Sequence, residues 1–146
     1  MTRMRLSGVV AIDKDVVINA YLKLNPEYRD VCKDILLDGF SGLYTPVITN
    51  QILYELLEEL ISRYRVDEEI VKIIVNGIIM SEHWMKVNYT FKTVERAREI
   101  QSLYGLSLST SLLIATLEEY SIKKIVSGRG DLVIYPYIEV VNPFKK

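Results

Sequence analysis

The residues of this chain best equipped for chemistry are carboxylates, and one of them stands in a telling position. Gly8-Val9-Val10-Ala11-Ile12 reads as a short strand buried on both faces, and Asp13 follows it directly. A carboxylate at the carboxyl end of such a strand lies where open α/β sheets bind their ligands. Asp13 reads equally well as an N-cap, because residues 14–22 have helical apolar spacing; the residues alone leave both roles open. The other reactive groups carry less. His83 is the only histidine and has no cysteine or second histidine to complete a zinc site. Ser109, Thr110 and Ser111 have no base nearby in sequence to activate a hydroxyl. Gly128-Arg129-Gly130 is too short for a phosphate-cradling loop. Lys92, Arg96 and Arg98 alternate with Glu95 and Glu99, which is the pattern of a solvated helix face. Tyrosines such as Tyr135 and Tyr137 suit packing with one wet end better than base stacking.

A strand of this kind needs helices over both faces, and the remaining sequence supplies them. A second helix is expected over 27–37 behind Pro26, ending near Gly39. Residues 42–47 read as a short extended segment in which Pro46 limits the ladder. Thr49 or Asn50 caps a helix over 51–64, whose apolar stripe includes Ile52, Leu56 and Leu60. Glu55 lies off that stripe beside Glu58 and Glu59, so periodicity alone places it in solvent. Asp67 starts a further helix, 84–89 breaks the helical run, and Gly105 closes a charged helix over 93–104. A compact apolar helix over 109–120 and strands at 122–126 and 138–141 complete the chain. No repeat, linker or low-complexity tract interrupts it, so residues 1–146 read as one domain of α/β class. A net charge of −1 offers no global attraction to nucleic acid. The single cysteine, Cys32, rules out an internal disulfide and reads as a small core residue. No apolar run reaches the roughly 18 residues that span a bilayer, and the stretch after Arg3 and Arg5 is cut short by Asp13-Lys14-Asp15, unlike a signal peptide. A cytoplasmic location is expected.

This order of elements, with acids at strand ends, resembles the PIN domain of VapC-type toxins and many RNA-processing nucleases. The resemblance covers essentially the whole chain. Residues 9–15 resemble the opening strand with the first catalytic acid, Asp13. Residues 46–60, with Tyr54-Glu55-Leu56 at their middle, resemble the helix that carries the second acid, Glu55. Residues 105–116 are similar to the start of the third-acid helix, and 125–132 with 140–143 to the fourth-acid turn and closing strand. The resemblance implies a three-layer α/β/α fold with a mostly parallel sheet. It also implies a metal-dependent endoribonuclease in which Asp13 and Glu55 bind Mg²⁺ or Mn²⁺, because hard cations prefer carboxylate oxygens and the cation supplies a nucleophilic water. An antitoxin-like protein partner belongs to the same implication.

The chain departs from the pattern at two places. Thr110 stands where the third acid should open its helix, and Arg129 where the fourth acid should follow the closing turn. A hydroxyl brings no charge, and a unit positive charge about 5 Å from Mg²⁺ opposes it by roughly 7 kcal/mol before screening at an effective dielectric of ~20. Asp131 could supply a missing acid, because Gly128 and Gly130 make the turn pliable. Two functional expectations follow. One is a PIN-like relative of metal-dependent endoribonucleases with weakened catalysis through Asp13, Glu55 and Asp131. The alternative is an inactive PIN-like protein that binds RNA or dimerises, with Thr110 and Arg129 as a pseudo-site or phosphate contact. A homodimer is expected because the 70–79 segment is apolar around most of its circumference.

Overall fold

The computed structural model describes residues 4–144. Its five strands are β1 (Val9–Ile12), β2 (Thr45–Thr49), β3 (Met85–Val87), β4 (Lys124–Val126) and β5 (Glu139–Val141). They form one sheet in the order β3-β2-β1-β4-β5, and every neighbouring pair is parallel. The expected three-layer arrangement follows from this order. Parallel neighbours require crossovers, and right-handed crossovers that first step one way and then return place helices on opposite faces. α1 (Lys14–Tyr21), α2 (Pro26–Phe40), α3 (Asn50–Glu58) and α4 (Glu68–Met80) belong to the outward steps; α5 (Phe91–Tyr104) and α6 (Leu108–Glu119) belong to the return. α1 packs on α2 and α3, and α5 packs on α6.

β1 is the central strand, as its apolar run predicts. Val10, Ala11 and Ile12 are fully buried and join Ile52, Leu56, Ile114 and Ile125 in one hydrophobic core. The sheet runs outward through β2 and β3, then reverses at β4. β1 and β4 therefore flank the topological switch point, where doubly wound sheets open a crevice at their carboxyl ends. Ile12 pairs with Val126, and the Asp13 amide donates to the Val126 carbonyl at 3.0 Å, so the residues that leave these two strands emerge side by side.

One expectation about the sheet needs correction. The extended segment expected over 42–47 is short, but it lies at Thr45–Thr49, and β2 is an interior strand in which Pro46 is aligned with Val10. The Thr45 amide points to β1, where it donates to Gly8 at 2.8 Å. The alternation of a parallel strand then turns the Pro46 nitrogen toward β3, whose pairing begins only at Val47, so the missing N–H removes no ladder bond.

The helix starts follow their capping residues. Asn25, Thr49, Asp67 and Ser107 each accept amide hydrogen bonds at the starts of α2, α3, α4 and α6. α3 continues into a π-helical turn over Glu59–Arg63, so the single helix expected over 51–64 changes its winding after Glu58. Cys32 is buried in the core. Among the described residues no single helix is long and apolar enough to cross a membrane.

Candidate functional site

Asp13 fills both of the roles its sequence left open. It is the N-cap of α1, its Oδ1 accepting from the Lys14 amide at 2.8 Å, and it is almost fully buried at the switch point. Just beyond β4, the Ser127 hydroxyl donates to Asp13 Oδ2 at 2.6 Å and accepts the Arg129 amide at 3.0 Å. That second bond fixes the turn so that the Arg129 side chain folds back over the carboxylate. Arg129 Nε donates to Asp13 Oδ2 at 3.0 Å and Nη2 to Oδ1 at 3.3 Å, a forked contact that suits the planar guanidinium.

Glu55 reaches the same guanidinium from α3. Arg129 Nη2 donates to Glu55 Oε1 at 2.6 Å, so Asp13 and Glu55 converge on a single nitrogen. Lys14 Nζ adds a second cation on Glu55 Oε1 at 3.1 Å, while Gln51 Nε2 and the Ser109 hydroxyl donate to Oε2 at 3.0 and 2.9 Å. Burial pushes the Glu55 carboxyl up, but the charge and hydrogen bond of Arg129, with the hydrogen bonds from Lys14 and Gln51, outweigh it and hold the group at about 2. Burial alone would lower the Arg129 pKa; Asp13 and Glu55 reverse that and drive it upward. The placement of Glu55 overturns the solvated reading from periodicity. One edge of α3, carrying Gln51 and Glu55 a turn apart, lies against the start of α6, where Gln51 also donates to the Ser109 carbonyl at 2.8 Å.

Thr110 and Asp131 form a neighbouring pair. The Thr110 hydroxyl donates to Asp131 Oδ1 at 2.7 Å, and the Ser107 amide donates to Oδ2 at 3.3 Å. Burial acts to raise the Asp131 carboxyl, but the Thr110 hydroxyl and the Ser107 donors bring it below the ordinary aspartate range. Asp131 thus lies at the start of α6 beside Thr110, carried there by the short 3₁₀ turn Gly130–Ile134. Asp13, Asp15, Thr110, Arg129 and Asp131 all line one cleft of about 400 Å³.

Several members of this cluster carried no sequence prediction of their own. Ser127 was visible only as the residue before the glycine-rich turn. Lys14 and Gln51 were visible only as neighbours of the two acids, one residue from Asp13 and four from Glu55. Asp15 was not singled out at all. Its Oδ2 accepts the Gly128 amide at 2.8 Å, while desolvation and then the adjacent Asp13 charge push its carboxyl up to about 6. Gly128 must be glycine here, because a Cβ would meet the Phe144 ring at 2.6 Å and Asp15 Oδ2 at 2.9 Å. Ser109 bridges the ion pairs, accepting from Arg129 Nη1 at 2.8 Å, and Glu55 at so low a pKa is no base for activating it. Arg96 pairs with Glu99 and Glu118, in keeping with a solvated helix face.

A divalent cation does not fit this arrangement of side chains. Among the described residues no three His, Cys, Asp or Glu side chains are grouped to hold one. The place between Asp13 and Glu55 is filled by a guanidinium, and each acid already has charged and hydrogen-bonded partners.

Comparison with known proteins shows the fold. No protein-family model matches the chain, and no curated protein matches its sequence. Solved structures do match. VapC20 of Mycobacterium tuberculosis, a sarcin–ricin loop cleaving toxin, superposes with a TM-score of 0.70 at 14% identity, over 90% of this chain and 98% of that one. A toxin–antitoxin complex from Klebsiella pneumoniae gives 0.64 at 15% identity, over 94% and 99%. VapBC2 from Rickettsia felis, bound to a fragment of its promoter DNA, gives 0.62 at 14%, over 92% and 98%. The chain therefore has the PIN-like α/β fold of VapC toxins, as the order of its segments implied.

Proposed function

We propose that this chain is a PIN-like relative of metal-dependent endoribonucleases in which cleavage of RNA is weak, because Arg129 takes the place a cation would hold between Asp13 and Glu55. The observation that carries this reading is the pair of contacts from one Arg129 nitrogen to both acids, at 3.3 and 2.6 Å. Replacing the guanidinium by a metal would require breaking buried, charge-assisted hydrogen bonds as well as overcoming the repulsion of the arginine itself. Asp131 is the residue through which residual activity would run. Beside Thr110 it brings a carboxylate close to the position where the PIN pattern has its third acid, though it arrives from the neighbouring turn.

A second reading concerns partners. The similar solved structures include toxin–antitoxin complexes, which favours an antitoxin-like protein as partner, and the similar sarcin–ricin loop cleaving toxin favours RNA as the nucleic acid engaged at the cleft. Loss of catalysis would leave such binding intact.

The test is a cleavage assay on a short single-stranded RNA with Mg²⁺ or Mn²⁺, comparing wild type with Asp13→Asn and Asp131→Asn. Slow or absent cleavage by wild type is expected, with any residual activity lost on Asp131→Asn. Brisk metal-dependent cleavage that both substitutions abolish would overturn the weakened-site reading and assign the missing acid's work to Asp131.

A further inference from the structure

We propose that the groove between α1 and α2, away from the acid cleft, binds a small apolar carboxylate. Its apolar end is formed by Ala20 and Tyr21 of α1 with Leu36, Leu37 and Phe40 of α2, and it encloses about 210 Å³. Tyr21 and Leu37 remain 38% and 58% exposed, so this apolar surface is open to a ligand. The other end of the same groove is cationic, lined by Arg29 and Lys33.

The two cations are what point to an anion. They stand four residues apart on one helix face, where like charges repel each other. Neither has an ion-pair partner among the described residues. Arg29 Nε is moreover buried without a hydrogen-bond partner, a state that costs free energy unless an acceptor arrives. A carboxylate on this fork would relieve both conditions, and an apolar body of modest length would cover Leu36, Leu37 and Phe40. Size selects the class of ligand. The groove falls below the roughly 300–1,000 Å³ of sites for drug-sized molecules, which favours an aliphatic or aryl monocarboxylate over a larger ligand. This inference rests on the groove alone and is independent of the function proposed for the acid cleft.

The fold provides its own reporter. Trp84, the only tryptophan, packs against Phe40 with ring centroids 5.5 Å apart, and Phe40 lines the groove. Octanoate, kept below its micellar range, should change Trp84 fluorescence saturably, and isothermal calorimetry should give the same affinity. Octanol and acetate, each lacking one half of the ligand, should bind at least about tenfold more weakly, as should octanoate to Arg29→Gln/Lys33→Gln. Lys33 is exposed, so Lys33→Gln alone keeps the test valid should the double variant fold poorly. Absence of saturable binding by both methods would overturn the proposal, as would octanol binding as tightly as octanoate or octanoate affinity unaffected by Lys33→Gln. Tighter binding of an N-acetyl-Leu-Glu peptide amide than of octanoate would also overturn it, in favour of a protein segment as occupant.

Discussion

Arg129 and Asp13, 116 residues apart in the chain, form a forked ion pair at the carboxyl ends of the two strands that flank the sheet's switch point. Asp13 is almost wholly buried, and Arg129 is mostly so. Removing one partner from such a pair leaves an uncompensated buried charge. Arg129→Ala is therefore expected to destabilise the fold by about 3–5 kcal/mol in urea denaturation. Combining it with Asp13→Asn should cost clearly less than the two changes added together, because each removes the same interaction. Strict additivity would show that the contact contributes nothing to the folded state.

Acid should weaken the same cluster through Glu55. Its carboxyl sits at about 2 in the folded protein against the usual 4.5, so the unfolded chain binds the extra proton first. The stabilisation is fully present above about 4.5 and is lost as pH falls toward 2. Melting temperatures measured across that window should drop more steeply for wild type than for Glu55→Gln. Parallel curves for the two proteins would contradict the assignment.

Much of this arrangement could be read before the structure, and the reasons are specific. β1 was legible because four apolar residues in a row fit only a strand covered on both sides. Asp13 was legible because it follows that run directly. Glu55 was not legible from periodicity: the apolar stripe of α3 reports which face meets the core, but not that a side edge of the helix meets α6 and Arg129. Nor does local sequence show that Ser127 turns Arg129 inward, since that depends on the pairing of β1 with β4 across more than a hundred residues.

Exposed apolar surface on α4 makes self-association the expected state. Ile70, Ile73 and Met80 are 47%, 68% and 81% exposed, more than a monomer's buried face requires. Sedimentation at tens of micromolar, roughly the range in which a standard-size interface should hold, is expected to give a dimer that Ile73→Glu disrupts. A wild-type monomer at that concentration would refute the expectation.

Cys32 should be chemically silent while the protein is folded. Burial, with a further contribution from the Asp15 charge, pushes its thiol up to about 12, so almost no thiolate exists near neutral pH. Iodoacetamide at pH 8 is expected to label it only after denaturant unfolds the chain. Labelling of native protein at the rate of a free thiol would contradict the buried placement.

If the guanidinium of Arg129 substitutes for a divalent cation between Asp13 and Glu55, removing it should open a metal site. Titration of Mn²⁺ against wild type, Arg129→Asp and the double variant Arg129→Asp/Thr110→Asp, followed by electron paramagnetic resonance and by thermal stability, tests it most directly. Wild type should bind Mn²⁺ weakly and gain no stability from it. Arg129→Asp should bind it at least about tenfold more tightly, with a melting temperature that rises with Mn²⁺ concentration, and Thr110→Asp should add to both effects. Tight Mn²⁺ binding by wild type, unchanged by Arg129→Asp, would show that the guanidinium does not stand in for a cation.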